Sequence, residues 1–158
     1  NDVCLAGVAF GGLVALEYIE RFGNERLRAL CLCEMTPRLL NADGWPHPTF
    51  GDFPVEAGMA YGAGVRADRA VLKDFLYAAF AVPPGPDEIA AMQAQMFLTP
   101  TSVVADLIDD MVTKDFRALL PSISLPTLLI YGRGNNPVMP GEVGRWIASQ
   151  IAGSELVE

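Results

Sequence analysis

The stretch CLAGVAFGGLVALEYIERFG, Cys4 to Gly23, decides the fold. Val3 to Ala6 is an apolar run with the length of a short buried strand. From Gly11 the pattern becomes helical: Ala15, Ile19 and Phe22 share one face, while Glu17, Glu20 and Arg21 point away. Gly23 suits a helix C-cap. Leu27 to Cys33, LRALCLC, reads as a second apolar strand. Strand, helix and strand in about thirty residues make a βαβ unit, which implies a parallel sheet and a right-handed crossover. Between the first strand and the helix lies the turn Gly7-Val8-Ala9-Phe10-Gly11. Such turns can present a nucleophile, yet the residue at this tip is alanine, which has no nucleophilic atom.

Downstream the texture changes. PRLLNADGWPHPTFGDFP, Pro37 to Pro54, has turn formers and little periodicity, so it is loop. From Val55 to about Ala118 the pattern is helical, with helices expected over 66–80, 86–98 and 99–116. The last carries an apolar stripe of Val104, Leu107, Ile108 and Met111. LPTLLIYG, 125–132, is a third strand. GEVGRWIASQI, 141–151, is a helix with Val143, Trp146, Ile147 and Ile151 on one side. SELVE opens a fourth strand. The order is therefore β-α-β, a helical insertion, then β-α-β. One helix suffices to connect neighbouring parallel strands, so the surplus helices pack over an end of the sheet. Ligand sites in open parallel sheets lie at strand C-termini, and the insertion leaves from such an end, after Cys33. It is a candidate lid. The organisation expected is a core unit over 1–36, a cap over 37–120 and a second core unit over 121–158.

Composition narrows the function classes. The 158 residues suit one domain with a real core. A hydrophobic content of 51% excludes disorder. The apolar stretch Val3 to Leu16 is broken by Gly7, Gly11 and Gly12 and is shorter than the roughly 20 residues of a membrane span. No basic N-terminal region marks a secretory signal. Eleven Lys and Arg against nineteen Asp and Glu give a net charge of −8, which disfavours nucleic acid, whose phosphates need cations. Cys4, Cys31 and Cys33 sit in apolar runs and are expected to be buried thiols of a reducing, cytoplasmic compartment. One histidine, three core-like cysteines and no paired ligand motif offer no metal set. No cofactor is expected.

Gly7-Val8-Ala9-Phe10-Gly11, between a strand and a helix and followed by Gly12, resembles the nucleophile elbow of the α/β-hydrolase fold, G-x-S-x-G. The segment from Leu13 to Pro46 and the block LPTLLIYGRGNNPVMPGEVGRWIASQIAGSELVE are similar to the non-haem haloperoxidase and carboxylesterase branch. The resemblance implies an α/β class with a partial parallel-sheet hydrolase core and an inserted helical cap. It implies a parent enzyme that hydrolyses acyl esters with a Ser-His-acid triad, and a small apolar ester-like ligand. Ala9 occupies the nucleophile position, and the N–H of Phe10 would be one oxyanion donor. Gly7 and Gly11 would flank the tip because larger side chains clash there. With Ala9, a covalent acyl intermediate is excluded as written.

The usual acid position falls on Asn135 and Asn136, amides that cannot stabilise an imidazolium by charge. Glu34, just past Cys33, is the other candidate acid. Its alternative is a strand-end carboxylate bonded to loop amides. His47 lies at the cap entrance and reads as a loop histidine; the base of the resemblance lies downstream. Phe75, Phe80, Met92, Met96, Phe97 and Met111 are apolar cap residues, either core or pocket wall. The pocket set is Met35, Trp45, Phe80, Met96, Met111 and Val138. The resemblance also leads one to expect the central part of a larger chain, completed by missing pieces or by a homo-oligomer, because a sheet cut at its sides leaves unpaired edges. The rival is a non-catalytic relative that binds an apolar molecule or a protein partner.

Overall fold

The computed structural model describes residues 3–73, 80, 82, 84–134, 136 and 138–158. Asn135, Phe75 and most of the second half of the helix expected over 66–80 lie outside the described residues. Four parallel strands, β1 (Val3–Val8), β2 (Leu27–Cys33), β3 (Thr127–Ile130) and β4 (Glu155–Val157), stand in the order β1-β2-β3-β4. Helix α1 (Phe10–Phe22) connects β1 to β2. Helices α2 (Val55–Ala67), α3 (Pro86–Met96) and α4 (Thr101–Thr113) fall in the insertion between β2 and β3, and α5 (Gly141–Gln150) precedes β4. This is an α/β fold built on a four-strand parallel sheet.

Strand order increases steadily across the sheet, so right-handed crossovers put α1 and α5 on one face. That face is the core. Leu30, Leu32 and Leu129 from the strands meet Leu16, Ile19, Val143 and Ile147 from the helices, all at most 3% exposed. The chain returning from the insertion adds Phe116, Leu120 and Ile123 to the same cluster, and the departing loop adds Leu39 and Trp45. A second, smaller cluster lies among the cap helices: Leu40, Val65, Leu72, Ala105, Ile108 and Val112. The two stalks of the insertion are stitched together where Arg38 bridges Asp115 antiparallel and Phe116 N–H donates to the Pro37 carbonyl at 2.9 Å.

The opposite face of the sheet is only partly covered by the described residues. Side chains alternate across a strand, and the register aligns Ala6, Cys31 and Leu128 in one row and Val8, Cys33, Ile130 and Val157 in the next. Cys31 and Cys33 do share a face. They are only partly buried, and Cys4 is exposed, which corrects the expectation of three buried thiols. The apolar strand residues signalled burial; which layer supplies it is written elsewhere than in the strand.

Other boundaries shift for local reasons. Helix α2 ends at Ala67 because Asp68 turns extended and its Oδ1 accepts the Ala70 N–H at 2.8 Å. The helix expected from 66 is broken there. Gly23 caps α1 as anticipated, with φ 72° and its N–H on the Ile19 carbonyl at 2.8 Å. Phe22, placed on the buried face from spacing, is 65% exposed and meets the Tyr18 ring at 5.2 Å, tilted by 46°, at the helix end. In α4, Ala105, Ile108 and Val112 form the buried stripe, one position round from the one expected, and Leu107 is exposed.

Candidate active site

The site begins with the turn after β1. Ala9 has φ 49° and ψ −117°, a conformation that residues with a Cβ rarely adopt and that costs on the order of 1–3 kcal/mol. Two bonds pin it. Its N–H donates to the Cys33 carbonyl at 2.9 Å, and its own carbonyl accepts the Gly12 N–H at 2.9 Å. The first bond extends the β1–β2 ladder by one residue; the second starts α1. The Ala9 side chain is therefore held at the C-terminal edge of the sheet. Phe10 is the first residue of α1, where N–H groups have no intrahelical acceptor and the helix dipole is positive.

The glycines make this turn possible, though not as their spacing implied. A Cβ on Gly7 would overlap the carbonyl of Gly11 and the amide of Gly12. A Cβ on Gly12 would sit 2.6 Å from Met35 Cγ. A Cβ on Gly11 would meet nothing within 4 Å. Close approach thus requires glycine at 7 and 12, and the expected clash at Gly11 is absent.

Glu34 follows β2 directly beside the elbow, since its neighbour Cys33 is the residue bonded to Ala9. It too has a positive φ, 45°. Its N–H donates to the Ile130 carbonyl at 3.0 Å, and its Oε1 accepts the Gly132 N–H. Its Oε2 is buried and has no hydrogen-bond partner. Tyr131 alongside donates its hydroxyl to the Met35 carbonyl at 2.6 Å, and burial pushes that phenol well above its ordinary range.

Asn136 is occupied differently. Its Oδ1 accepts the N–H groups of Val138 at 2.9 Å and Met139 at 3.3 Å. The side-chain carbonyl closes its own loop and holds Val138, 6% exposed, inward. His47 lies in the loop between β2 and α2. It meets Trp45 edge-on at 5.6 Å, Glu142 lies near enough to act on its charge, and burial lowers its pKa.

The expected pocket residues divide. Met111 joins Phe10, Leu13, Val14, Leu107 and Phe116 around a groove of about 120 Å³ between α1 and α4. The structure thereby brings Phe10 and Met111 together. Glu17 and Asp110 pair with Lys114 at the polar rim of this groove, at 2.9 and 3.5 Å. Met35 is fully buried and supports the elbow from beneath, so it lines no surface. Trp45 is 6% exposed and packs at 4.9 Å against Trp146 of α5, which makes it core. Met96 packs on the cap cluster, and Phe80 lies at the surface. Leu13, Val14 and Phe116 were not anticipated as groove residues; their apolar spacing spoke only of core. Among the described residues, no group of three or more His, Cys, Asp or Glu could hold a metal ion, and no helix is long and apolar enough to cross a membrane.

Comparison with known proteins agrees with this geometry. The chain is 31% identical over 157 residues to the pimeloyl-[acyl-carrier protein] methyl ester esterase of Neisseria meningitidis serogroup C, covering 97% of this chain and 59% of that protein. The serogroup A protein of the same name is also 31% identical over 157 residues, with 48% of its length covered. The chain thus spans about half the length of the curated relatives it matches. No protein-family model matches it. Among solved structures, an esterase from Exiguobacterium antarcticum superposes with a TM-score of 0.85 at 24% identity, over 96% of this chain and 56% of that one. A bromoperoxidase from Bacillus anthracis superposes with a TM-score of 0.82 at 23% identity, over 98% and 58%. These likenesses establish the α/β-hydrolase fold and a resemblance to esterases.

Proposed function

We propose that this chain carries the elbow and cap of an acyl-ester hydrolase of the Ser-His-acid type, with Ala9 where such an enzyme holds its serine. The observation that carries the reading is the backbone of Ala9: a positive φ, pinned from both sides, at the C-terminal edge of a parallel sheet and the start of a helix. An ordinary strand-to-helix turn has no use for that strain. A hydroxyl at position 9 would attack the ester carbonyl, an imidazole base would take its proton, and the Phe10 N–H would meet the developing oxyanion. With a methyl group at position 9 the attack has no lone pair to use. As written, the chain binds without forming an acyl-enzyme.

The apolar groove beside Phe10 fits the acyl portion of an ester, with Met111 and Leu107 as its far wall. The meningococcal relatives are named for a methyl ester of a carrier-bound acyl group, and we carry over the class: a small alkyl ester of a longer acyl chain. The test is Ala9→Ser in the full-length chain, assayed on short p-nitrophenyl and methyl esters. Turnover supports the reading, and its absence refutes it.

A second reading, a non-catalytic binder of an apolar small molecule or protein partner, is favoured by one pairing. Position 9 lacks a nucleophile, and the Asn136 amide oxygen is spent on its own loop. Apolar carboxylic acids and alcohols that raise the melting temperature, while Ala9→Ser stays inactive, would favour it.

A further inference from the structure

The groove beside the elbow has a length and an end. Phe10, Leu13, Val14 and Glu17 line it from α1, and Leu107, Asp110, Met111 and Lys114 from α4 and its C-cap. Each set has the i, i+3, i+4, i+7 spacing of one helix face. Leu13 and Phe116 are buried and form the floor, while Val14 and Leu107 are half-exposed lips. The groove starts at Phe10, next to the tip, and runs along α1 to Glu17, a distance of about 10 Å. There it becomes ionic. Lys114 Nζ lies 2.9 Å from Glu17 Oε2 and 3.5 Å from Asp110 Oδ1, and Arg21 Nη2 lies 2.5 Å from Glu17 Oε1. The charges alternate as Arg21, Glu17, Lys114 and Asp110, so each has a partner of opposite sign. Lys114 holds the Glu17 carboxyl below its usual range, and Glu17 in turn raises the Lys114 ammonium. A further charge pressed against this end would lose water and find its counterpart already taken.

We infer that the groove between α1 and α4 is a slot for straight, methyl-ended acyl chains of about eight carbons, the reach of roughly 10 Å, and that the Glu17–Lys114 bridge is its stop and its filter against charged chain ends. The apolar walls take the methylenes. The bridge crosses the far end, so a longer chain must turn out into water there and gains nothing from its extra carbons. The enclosed space of about 120 Å³ has room for about four water-sized groups. Such a chain is therefore only half-buried between the lips. The inference rests on the ester-hydrolase reading for the identity of the chain as an acyl group, but the slot, its length and its filter can be measured by binding alone.

Ala9 makes the experiment simple, because an ester bound beside a methyl group stays intact. In the full-length chain labelled with ¹³C at the methionine methyls, straight-chain methyl esters from butanoate to dodecanoate should move the Met111 resonance. That resonance is identified by its loss in Met111→Leu, and Met35, fully buried beneath the elbow, is the internal reference. Affinity should rise about twofold per carbon, less than the roughly fourfold of a fully buried methylene, and level off at about eight carbons. Methyl hydrogen suberate matches methyl octanoate in length but ends in a carboxylate, and it should bind about tenfold more weakly. Val14→Trp, at an exposed position, should fill the groove and abolish the Met111 shift while melting close to the parent. Lys114→Met should carry the rise in affinity on to longer chains. A Met111 resonance that no ester moves, an affinity that climbs without a break to dodecanoate, or a half ester that binds as well as methyl octanoate would overturn the inference. These three readings decide it even if Lys114→Met does not fold. If Ala9→Ser turns over no ester while the parent shows the length profile, the ester-hydrolase reading fails and the slot stands as a binding site for apolar chains.

Discussion

The turn after β1 and the loop after β3 lie at the same edge of the sheet and have opposite constructions. The elbow is backbone without chemistry: strained, pinned by two hydrogen bonds, and tipped by a methyl group. The loop is side chain turned to structure: Asn136 has an oxygen of the kind that could orient a ring and uses it on Val138 and Met139. The difference teaches that a site's scaffold and its reactive atoms are specified separately. A scaffold depends on what will fit between strand and helix, whereas a reactive atom depends on a single side chain and whatever binds it.

Substitutions at Gly7 should produce the largest effect on this contrast. Gly7→Val drives a side chain into the backbone of Gly11 and Gly12, and should cost about 3 kcal/mol or more, a fall in melting temperature on the order of 10 °C. Gly11→Ala should be neutral or slightly stabilising, since its Cβ meets nothing and alanine suits the first turn of a helix better. Equal losses at the two positions, read by thermal melting, would break the claim that close approach is confined to Gly7 and Gly12.

Asn136→Ala should come next. It frees two backbone N–H groups in a half-buried loop and should cost about 1–2 kcal/mol in denaturant melts. A change within error would mean that the loop is held by other contacts. Ala9→Gly should move stability the other way. Glycine accepts the positive φ, so relief of strain should outweigh the added freedom of the unfolded chain and raise stability by up to about 1 kcal/mol. Destabilisation would mean that position 9 is not strained in solution.

The smallest effect concerns His47. Burial lowers its pKa in the folded chain, so the unfolded chain takes up a proton first as pH falls. The contribution is complete above the unfolded value of about 6.5 and is lost as pH drops through the lower folded value. Stability should decline modestly below about pH 6.5, and His47→Gln should flatten that step. An unchanged profile in His47→Gln would assign the step to another group.

The βαβ unit and the elbow were legible in the sequence because their signals are short-range. An apolar run of strand length, glycines at 7, 11 and 12, and a 3.6-residue apolar spacing after them leave few alternatives. The same spacing misassigned Gly11, because a glycine's neighbours across space are not written beside it. The cap was legible as helical, but the break at Asp68 depends on one side-chain oxygen choosing the Ala70 N–H, a choice that an aspartate inside a helical pattern does not announce. Apolar strands said that Cys4, Cys31 and Cys33 belong in a core; the structure leaves Cys4 exposed and the other two partly buried, because a strand's own residues do not say what packs on its face. Glu34 was visible as a carboxylate at a strand end, with loop amides as one expected partner. Half of that holds, since Gly132 binds one oxygen. The orphaned second oxygen and the positive φ emerge only once three strand ends are brought together.

The most direct test concerns residue 9 itself. In the full-length protein, Ala9→Ser should hydrolyse short p-nitrophenyl esters with kcat of about 1 s⁻¹ or more, and quenched mixtures should contain a covalent acyl adduct at position 9 by mass spectrometry. The parent with Ala9 should show neither. A folded Ala9→Ser protein that neither turns over esters nor acquires the adduct would contradict the assignment of this turn as a nucleophile elbow.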